Sequence, residues 1–190
     1  MVTLKVNSIR KAVTILKQGG IIAYPTEGVY GLGCDPFNEQ AVLRLLKLKH
    51  RSIDKGLILI ASHWEQLENL VEPVADKLLA KAQETWPGPV TWVFPANKTV
   101  PTWISGVHNS IAIRVTRHLI ARALCEAYNK PIVSTSANIE GQPVIRNSKE
   151  VREQFPQGID FIVPGKVGDL KSPTMIRDVL TGKVLRSLKC

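Results

Sequence analysis

The sequence predicts a single α/β domain built on a twisted, mixed β-sheet with flanking helices. Short apolar stretches of strand length alternate with amphipathic stretches of helical length along the chain. Their order lacks the strict βαβ regularity of a purely parallel sheet, so both parallel and antiparallel pairs are expected. No repeat, low-complexity tract or long linker divides residues 1–190. We therefore expect one domain over the whole chain.

The first two helices have recognisable ends. Residues 8–18 show helical periodicity, with Ser8 as the expected N-cap and Gly19-Gly20 as the stop. Asn38 is expected to cap a second amphipathic helix that ends near His50.

The remaining elements follow from the same patterns. Strands are expected at 21–24, 57–61, 90–94, 110–116, 131–134 and 161–163. Further helices are expected at 64–70, 75–85, 118–128 and 148–155. A glycine-rich loop is expected at 26–33, a second loop between 94 and 110, and a hairpin over 174–186 that turns at Thr181-Gly182.

The composition excludes several classes of protein. Hydrophobic residues make up 44% and charged residues 22%, as in an ordinary globular domain. The apolar runs are of strand length and the N-terminus lacks a signal-peptide core, so neither a membrane partner nor secretion is expected. The three cysteines, Cys34, Cys125 and Cys190, show no disulfide or metal-site spacing. A cytoplasmic location is expected.

The net charge of +9 indicates an affinity for anions. Solubility and general attraction to anions explain this charge as well as a specific ligand does. The more specific interpretations are a phosphate-bearing substrate and, less directly, a nucleic acid. The densest group of cations comprises Arg44, Lys47, Lys49, Arg51 and Lys55.

Two short polar motifs are candidates for binding such an anion. Lys49-His50-Arg51 lies where a helix gives way to a strand, and Ser136-Ala137-Asn138 follows a short apolar strand. Two cations can clamp a polyanion, and a Ser/Asn pair supplies neutral hydrogen bonds that orient it. Each motif also has a plainer explanation, because the cations complement a helix dipole and the Ser/Asn segment suits a polar turn.

Two further residues stand at expected strands. The hydroxyl of Thr26 either bonds locally or meets a polar substrate. Arg114 alternates with apolar residues in an expected core strand, where an unpaired charge would cost several kcal/mol. Its partner is either a carboxylate ligand or an internal Asp or Glu.

Several familiar sites are absent from the sequence. There is no G-x-x-x-x-G-K-[ST] loop, and Gly28-x-x-Gly31-x-Gly33 does not fit the dinucleotide fingerprint. The histidines show neither metal-ligand spacing nor a Ser/His/Asp arrangement, so no protein-held metal is predicted. Any ATP must be held in another way.

Over nearly its whole length the chain resembles the YrdC/TsaC family, the threonylcarbamoyl-AMP synthases. The resemblance rests on the order and spacing of several segments, and the short length resembles the single-domain bacterial form. The segments are Tyr24-Pro25-Thr26-Glu27, Leu46-Lys47-x-Lys49-x-Arg51, Lys55-Gly56-Leu57-Ile58, Trp86-Pro87-Gly88-Pro89-Val90-Thr91, Ala112-Ile113-Arg114-Val115, Ser134-Thr135-Ser136-Ala137-Asn138 and Ile176-Arg177-Asp178.

The resemblance implies a large, positively lined concave cleft in an α/β fold. It also implies condensation of L-threonine, bicarbonate or CO2, and ATP into L-threonylcarbamoyl-AMP, with release of pyrophosphate and a need for Mg2+. A separate complex would then transfer the threonylcarbamoyl group to adenosine 37 of tRNAs that read codons beginning with A, forming t6A. Direct contact with tRNA is a further expectation.

The same resemblance implies roles for individual residues. The family's active-site tetrad corresponds to Lys49, Arg51, Ser136 and Asn138, and all four would bind ATP. The two cations would contact the triphosphate, and the Ser/Asn pair would contact the α-phosphate or the carbamate. The resemblance further implies that threonine is bound by Thr26, Arg114 and Thr174, and that ATP is also bound by Thr91 and Arg186.

Two positions depart from the family pattern. Thr174 stands where many members have Ser, and Leu59-Ile60 stands where longer members have a His.

Two other functions remain as alternatives. A non-catalytic double-stranded RNA- or tRNA-binding protein, or a ribosome maturation factor, would use the positive charge and stack bases on tryptophans. The tryptophans are Trp64, Trp86, Trp92 and Trp103. A transferase that uses carbamoyl phosphate is the third hypothesis.

Overall fold

The structure, a computed structural model, describes residues 6–188, so Cys190 lies outside the described residues. The helices are α1 (Val6–Lys17), α2 (Glu39–Leu48), α3 (Asp76–Gln83), α4 (Thr102–Ser105), α5 (Leu119–Tyr128) and α6 (Ser148–Gln154). The strands are β1 (Ile22–Pro25), β2 (Tyr30–Gly33), β3 (Ile58–Ala61), β4 (Val90–Pro95), β5 (Ser110–Val115), β6 (Ile132–Val133), β7 (Thr135–Ser136), β8 (Phe161–Ile162), β9 (Met175–Asp178) and β10 (Val184–Arg186). Within residues 6–188 no helix is long and apolar enough to cross a membrane.

The predicted α/β class with mixed strand pairing is confirmed, and the strands divide between two hydrogen-bonded sheets. One sheet has the order β7-β2-β1-β8 and the other has the order β10-β9-β4-β5-β3-β6. Parallel pairs join β1 to β8, β3 to β5 and β4 to β9, and the remaining pairs are antiparallel. The predicted hairpin near the C-terminus is present as β9 and β10.

The chain passes from one sheet to the other at Ser134. The segment predicted as one strand, 131–134, contributes only β6 to the six-stranded sheet, and β7 then pairs with β2 in the four-stranded sheet. The backbone N–H of Ser134 donates to Ile58 O at 2.8 Å, and that of Ala137 donates to Tyr30 O at 2.7 Å. The crossing therefore places Ser136 in the four-stranded sheet and Ala137-Asn138 directly after its strand.

The end of α1 was predicted correctly and its beginning was not. Gly19 has a φ of 75°, and the N–H groups of Gly19 and Gly20 donate to Leu16 O and Ile15 O, which is the Schellman pattern of a helix stop. Helix α1 already includes Ser8, so Ser8 is not its N-cap. The apolar face of α1 packs on α5, and this packing outweighs the preference of serine for the N-cap position.

Three other expectations were wrong. Residues 30–33 form β2 rather than part of a loop, because pairing with β1 and complete burial override the low strand propensity of glycine. The expected helix at 64–70 is two single turns of 3-10 helix, Trp64–Gln66 and Glu68–Leu70. The expected loop between 94 and 110 contains α4.

Candidate active site

A cavity of about 350 Å³ opens where residues of both sheets face each other. Six of the nine predicted site residues line it, and they come from separate parts of the chain: Thr26, Arg51, Arg114, Ser136, Thr174 and Arg186. The other three do not line the cavity, but each forms a hydrogen bond to a residue that does. Lys49 and Asn138 bond to Ser136, and Thr91 bonds to Thr174. The lining also includes Lys55 and His108, which were not predicted as site residues.

The Lys49-His50-Arg51 motif is the end of helix α2. Asn38 caps the other end, as predicted, by accepting from Ala41 N at 3.0 Å. His50 has a left-handed φ of 52°, its N–H donates to Lys47 O, and the N–H of Arg51 donates to Leu46 O. This is a Schellman motif with His50 in the position that usually holds glycine. The left-handed residue turns the chain, so Lys49 and Arg51 contact different groups.

Lys49 is buried behind the cavity wall. Its Nζ donates to the carbonyl oxygens of Ser136 and Asn138, both at 2.5 Å. Burial, and secondarily the positive charge of Arg51, lowers the pKa of the Lys49 ammonium to about 8. The side chain therefore ties the backbone of the Ser-x-Asn segment to the end of α2.

Arg51 does reach the cavity. Its Nη2 donates to Gly56 O at 2.9 Å, while its Nε is buried with no hydrogen-bond partner among the described residues. Burial lowers the pKa of the Arg51 guanidinium. An arginine N–H that is buried and unsatisfied favours an acceptor supplied by a ligand.

Ser136 and Asn138 have different environments. Ser136 lines the cavity and is half-buried. The amide nitrogen of Asn138 donates to Ile139 O at 3.0 Å and to Gln142 O at 2.8 Å, whereas its Oδ1 is buried without a partner among the described residues. Asn138 thus stabilises its own loop and retains one unused acceptor.

Arg114 is the most fully bonded of the predicted residues. Its Nη1 donates to the hydroxyls of Thr91 and Thr174 at 3.2 and 3.0 Å, and its Nη2 donates to Glu27 Oε2 at 3.3 Å. Its Nε is buried without a partner among the described residues. Of the two kinds of partner expected for Arg114, the structure supplies the internal carboxylate, Glu27.

The predicted site residues did not include Glu27. Burial acts most strongly on its pKa and would raise it, but the charge of Arg114 and the hydrogen bond from Thr116 outweigh burial and lower the pKa. The sequence signal that points to Glu27 is an acidic residue two positions after a buried strand, which requires a cationic partner if it is buried in the fold.

The two remaining residues, Thr26 and Arg186, both line the cavity. The hydroxyl of Thr26 donates to Val29 O at 2.8 Å and keeps its lone pairs for the cavity. Arg186 donates from Nε and Nη2 to Thr174 O at 3.0 and 2.8 Å. Burial and the positive charges of Arg114 and Arg51 lower the pKa of Arg186, so these guanidinium groups repel one another across the cavity.

The four tryptophans proposed for stacking bases are all buried or half-buried. The rings of Trp64 and Trp86 stack at 6.0 Å, and each also contacts the ring of Phe94. The indole N–H of Trp103 donates to Pro36 O at 3.0 Å. These side chains pack in the fold, which weakens the base-stacking hypothesis.

Several known proteins are similar to this chain over nearly its whole length. The model of the Sua5/YciO/YrdC family, described as "Telomere recombination", matches residues 14–187. A protein named threonylcarbamoyl-AMP synthase from Coxiella burnetii (strain RSA 493 / Nine Mile phase I) is 56% identical, over 94% of this chain and 96% of its own. One of the same name from Escherichia coli O1:K1 / APEC is 51% identical, over 96% of this chain and 97% of its own.

Two solved structures share the fold. Sua5 of P. abyssi complexed with L-threonine superposes with a TM-score of 0.88 at 35% identity, covering 94% of this chain and 53% of that chain. The present chain thus spans about half the length of that Sua5. E. coli YciO has a TM-score of 0.78 at 27% identity, covering 96% and 92% of the two chains. The family match over residues 14–187 and the identity above 50% to full-length relatives lead to one conclusion: the chain belongs to the Sua5/YciO/YrdC family.

Proposed function

We propose that this protein is an L-threonylcarbamoyl-AMP synthase that condenses L-threonine, bicarbonate or CO2, and ATP, releasing pyrophosphate. The observation that carries the proposal is that one cavity contains both kinds of group the reaction needs. Arg114 offers a buried, unused N–H, as an amino-acid carboxylate requires, and Arg51, Lys55 and Arg186 supply further cations, as a polyphosphate requires. The names of the close relatives support the same activity.

The threonine end of the cavity is assigned to Arg114, Thr26 and Thr174. An arginine has five N–H donors, and three of those of Arg114 are bonded to Glu27, Thr91 and Thr174. The remaining donors, including Nε, are available to the substrate carboxylate. Thr91 would act indirectly on threonine, because its hydroxyl forms hydrogen bonds with both Arg114 and Thr174.

The nucleotide end is assigned to Arg51, Ser136 and Arg186, with Lys55 as an additional cation. Lys49 and Asn138 are proposed to hold the Ser136 segment in place, Lys49 through its two carbonyl contacts. Among residues 6–188 there is no group of three His, Cys, Asp or Glu side chains that could hold a metal ion. We infer that Mg2+ accompanies the triphosphate, as is usual for this ion.

The chemistry follows from these positions. The threonine amine reacts with CO2, losing a proton, or with bicarbonate, losing water, to form a carbamate, and a carbamate oxygen attacks the α-phosphorus of ATP. The bond between the α-phosphorus and the oxygen that bridges the α- and β-phosphates breaks, and pyrophosphate leaves with the electron pair of that bond. Negative charge grows on the phosphate oxygens, and cations fixed in advance stabilise that charge without reorganising.

We further propose that the product passes to a tRNA threonylcarbamoyl-transferase complex; direct contact of this protein with tRNA is a secondary proposal. A cytoplasmic location is part of the proposal, and the buried free thiols of Cys34 and Cys125 support it.

The test is pyrophosphate release from ATP by the purified protein with Mg2+ and bicarbonate, with and without L-threonine. We expect release that depends on threonine, together with incorporation of labelled bicarbonate into an AMP adduct. Folded protein that shows neither would contradict the proposal. RNA affinity with a steep salt dependence and no ATP consumption would then favour the RNA-binding alternative, and activity with carbamoyl phosphate in place of ATP would favour the transferase.

A further inference from the structure

Glu27 is a buried carboxylate that touches the site without lining the cavity. The side chains of Glu27 and Arg114 are each 3% exposed. Glu27 lines a separate cavity of about 420 Å³, whose walls include Arg117, His118 and Lys166. Glu27 therefore separates the two cavities and acts on the first through Arg114.

Both carboxylate oxygens of Glu27 are in use. Oε2 accepts from Arg114 Nη2 at 3.3 Å. Oε1 accepts from the hydroxyl of Thr116 at 2.6 Å and from the backbone N–H of Arg117 at 3.2 Å. These bonds join the β1–β2 connection to the start of α5. They also stabilise the ionised carboxylate, so Glu27 is not suited to be the general base for the threonine amine.

A buried ion pair adds little net stability to a folded protein. Desolvating two charges offsets most of their attraction, and apolar residues of similar size often serve a fold equally well. What the pair provides is a fixed guanidinium. Glu27 holds one terminal nitrogen of Arg114 and two threonine hydroxyls accept from the other, which leaves Nε unpartnered among the described residues.

We propose that Glu27 is the positioning residue that orients Arg114 towards the carboxylate of the amino-acid substrate, and so sets the affinity for threonine but not for ATP. The inference rests on the proposed function for the identity of the substrate. Its physical basis is that a guanidinium held on both terminal nitrogens loses little rotational freedom when it binds a carboxylate.

The test is the variant Glu27→Gln, which keeps the size of the side chain and removes its charge. We expect KM and the calorimetric Kd for L-threonine to rise about 10- to 100-fold, as for loss of a charged hydrogen bond, while KM for ATP changes less than about twofold. Glu126→Gln is the matched control, because Glu126 forms an exposed ion pair with Arg122 on α5. The control should match the wild type in both constants.

A milder variant covers the case in which Glu27→Gln does not fold. Thr116→Val is isosteric and removes the hydroxyl that donates to Glu27, together with its weaker contact from His118 N. We expect a rise of about three- to tenfold in the threonine constants alone. Unchanged threonine constants, or equal losses for threonine and ATP, would overturn the inference.

The binding measurement separates this inference from the proposed function. If the wild type binds threonine but releases no pyrophosphate, the proposed function fails and the calorimetric constants still decide the role of Glu27. A wild type that binds no threonine overturns both.

Discussion

The burial of the Lys49 ammonium predicts that the stability of the folded protein depends on pH. Its pKa of about 8 in the folded protein lies below its usual value of 10.5, mainly because of burial. Below pH 8 the lysine is charged in both states, and burying that charge lowers stability. Between pH 8 and 10.5 the unfolded state retains a proton that the folded state has lost, so stability rises with pH. The gap between the two pKa values corresponds to about 3 kcal/mol.

The variant Lys49→Met isolates this contribution. It removes the titrating group and also the hydrogen bonds that Lys49 donates to the carbonyls of Ser136 and Asn138, which we expect to lower kcat/KM for ATP. The free energy of unfolding should be measured by denaturant titration from pH 7 to 10.5. The wild type is expected to gain up to about 3 kcal/mol relative to the variant over this range.

The matched control is Lys47→Met, since Lys47 is exposed on the same helix. Its effect on stability should stay within about 0.5 kcal/mol. A constant difference between wild type and Lys49→Met across the pH range would refute the reasoning, because it would mean that Lys49 keeps its proton as readily in the folded state as in the unfolded one.

Three further predictions concern the site and its supports. Arg51→Ala should reduce threonine-dependent pyrophosphate release by at least about 100-fold with little change in Tm, and near-normal turnover would contradict its place at the phosphates. The analogue 2-aminobutyrate, which lacks the threonine hydroxyl, should be used up to about 10⁴-fold less efficiently, as competition assays would reveal; equal use would refute a hydroxyl-binding pocket. His50→Gly should raise the free energy of unfolding by about 0.5–1 kcal/mol, because His50 has a left-handed φ of 52°, and a loss of stability in denaturant titration would count against the Schellman assignment.

Elements with strong periodicity were predictable and the connections between them were not. The apolar face and glycine stop of α1, and the Asn38 cap of α2, are local features that the sequence states directly. Strand β2 was missed because its glycines have low strand propensity, and only pairing with β1 makes that segment a strand. The change of sheet at Ser134 was also missed, because the small polar residues after it suit a turn and only pairing with β2 makes Thr135–Ser136 a strand.

The sequence by itself determined the family, the α/β class and the candidate residues, because motif order and hydrophobic periodicity are written along the chain. Only the tertiary structure decided which of those residues share a cavity and what each one contacts. Glu27 and Arg114 are 87 positions apart, as are Lys49 and the Ser136 carbonyl that it holds. Partners at such distances meet only through the pairing of strands and the crossing between sheets. The sequence indicates that a buried charge needs a partner, but only the packing of the folded chain determines which residue that partner is.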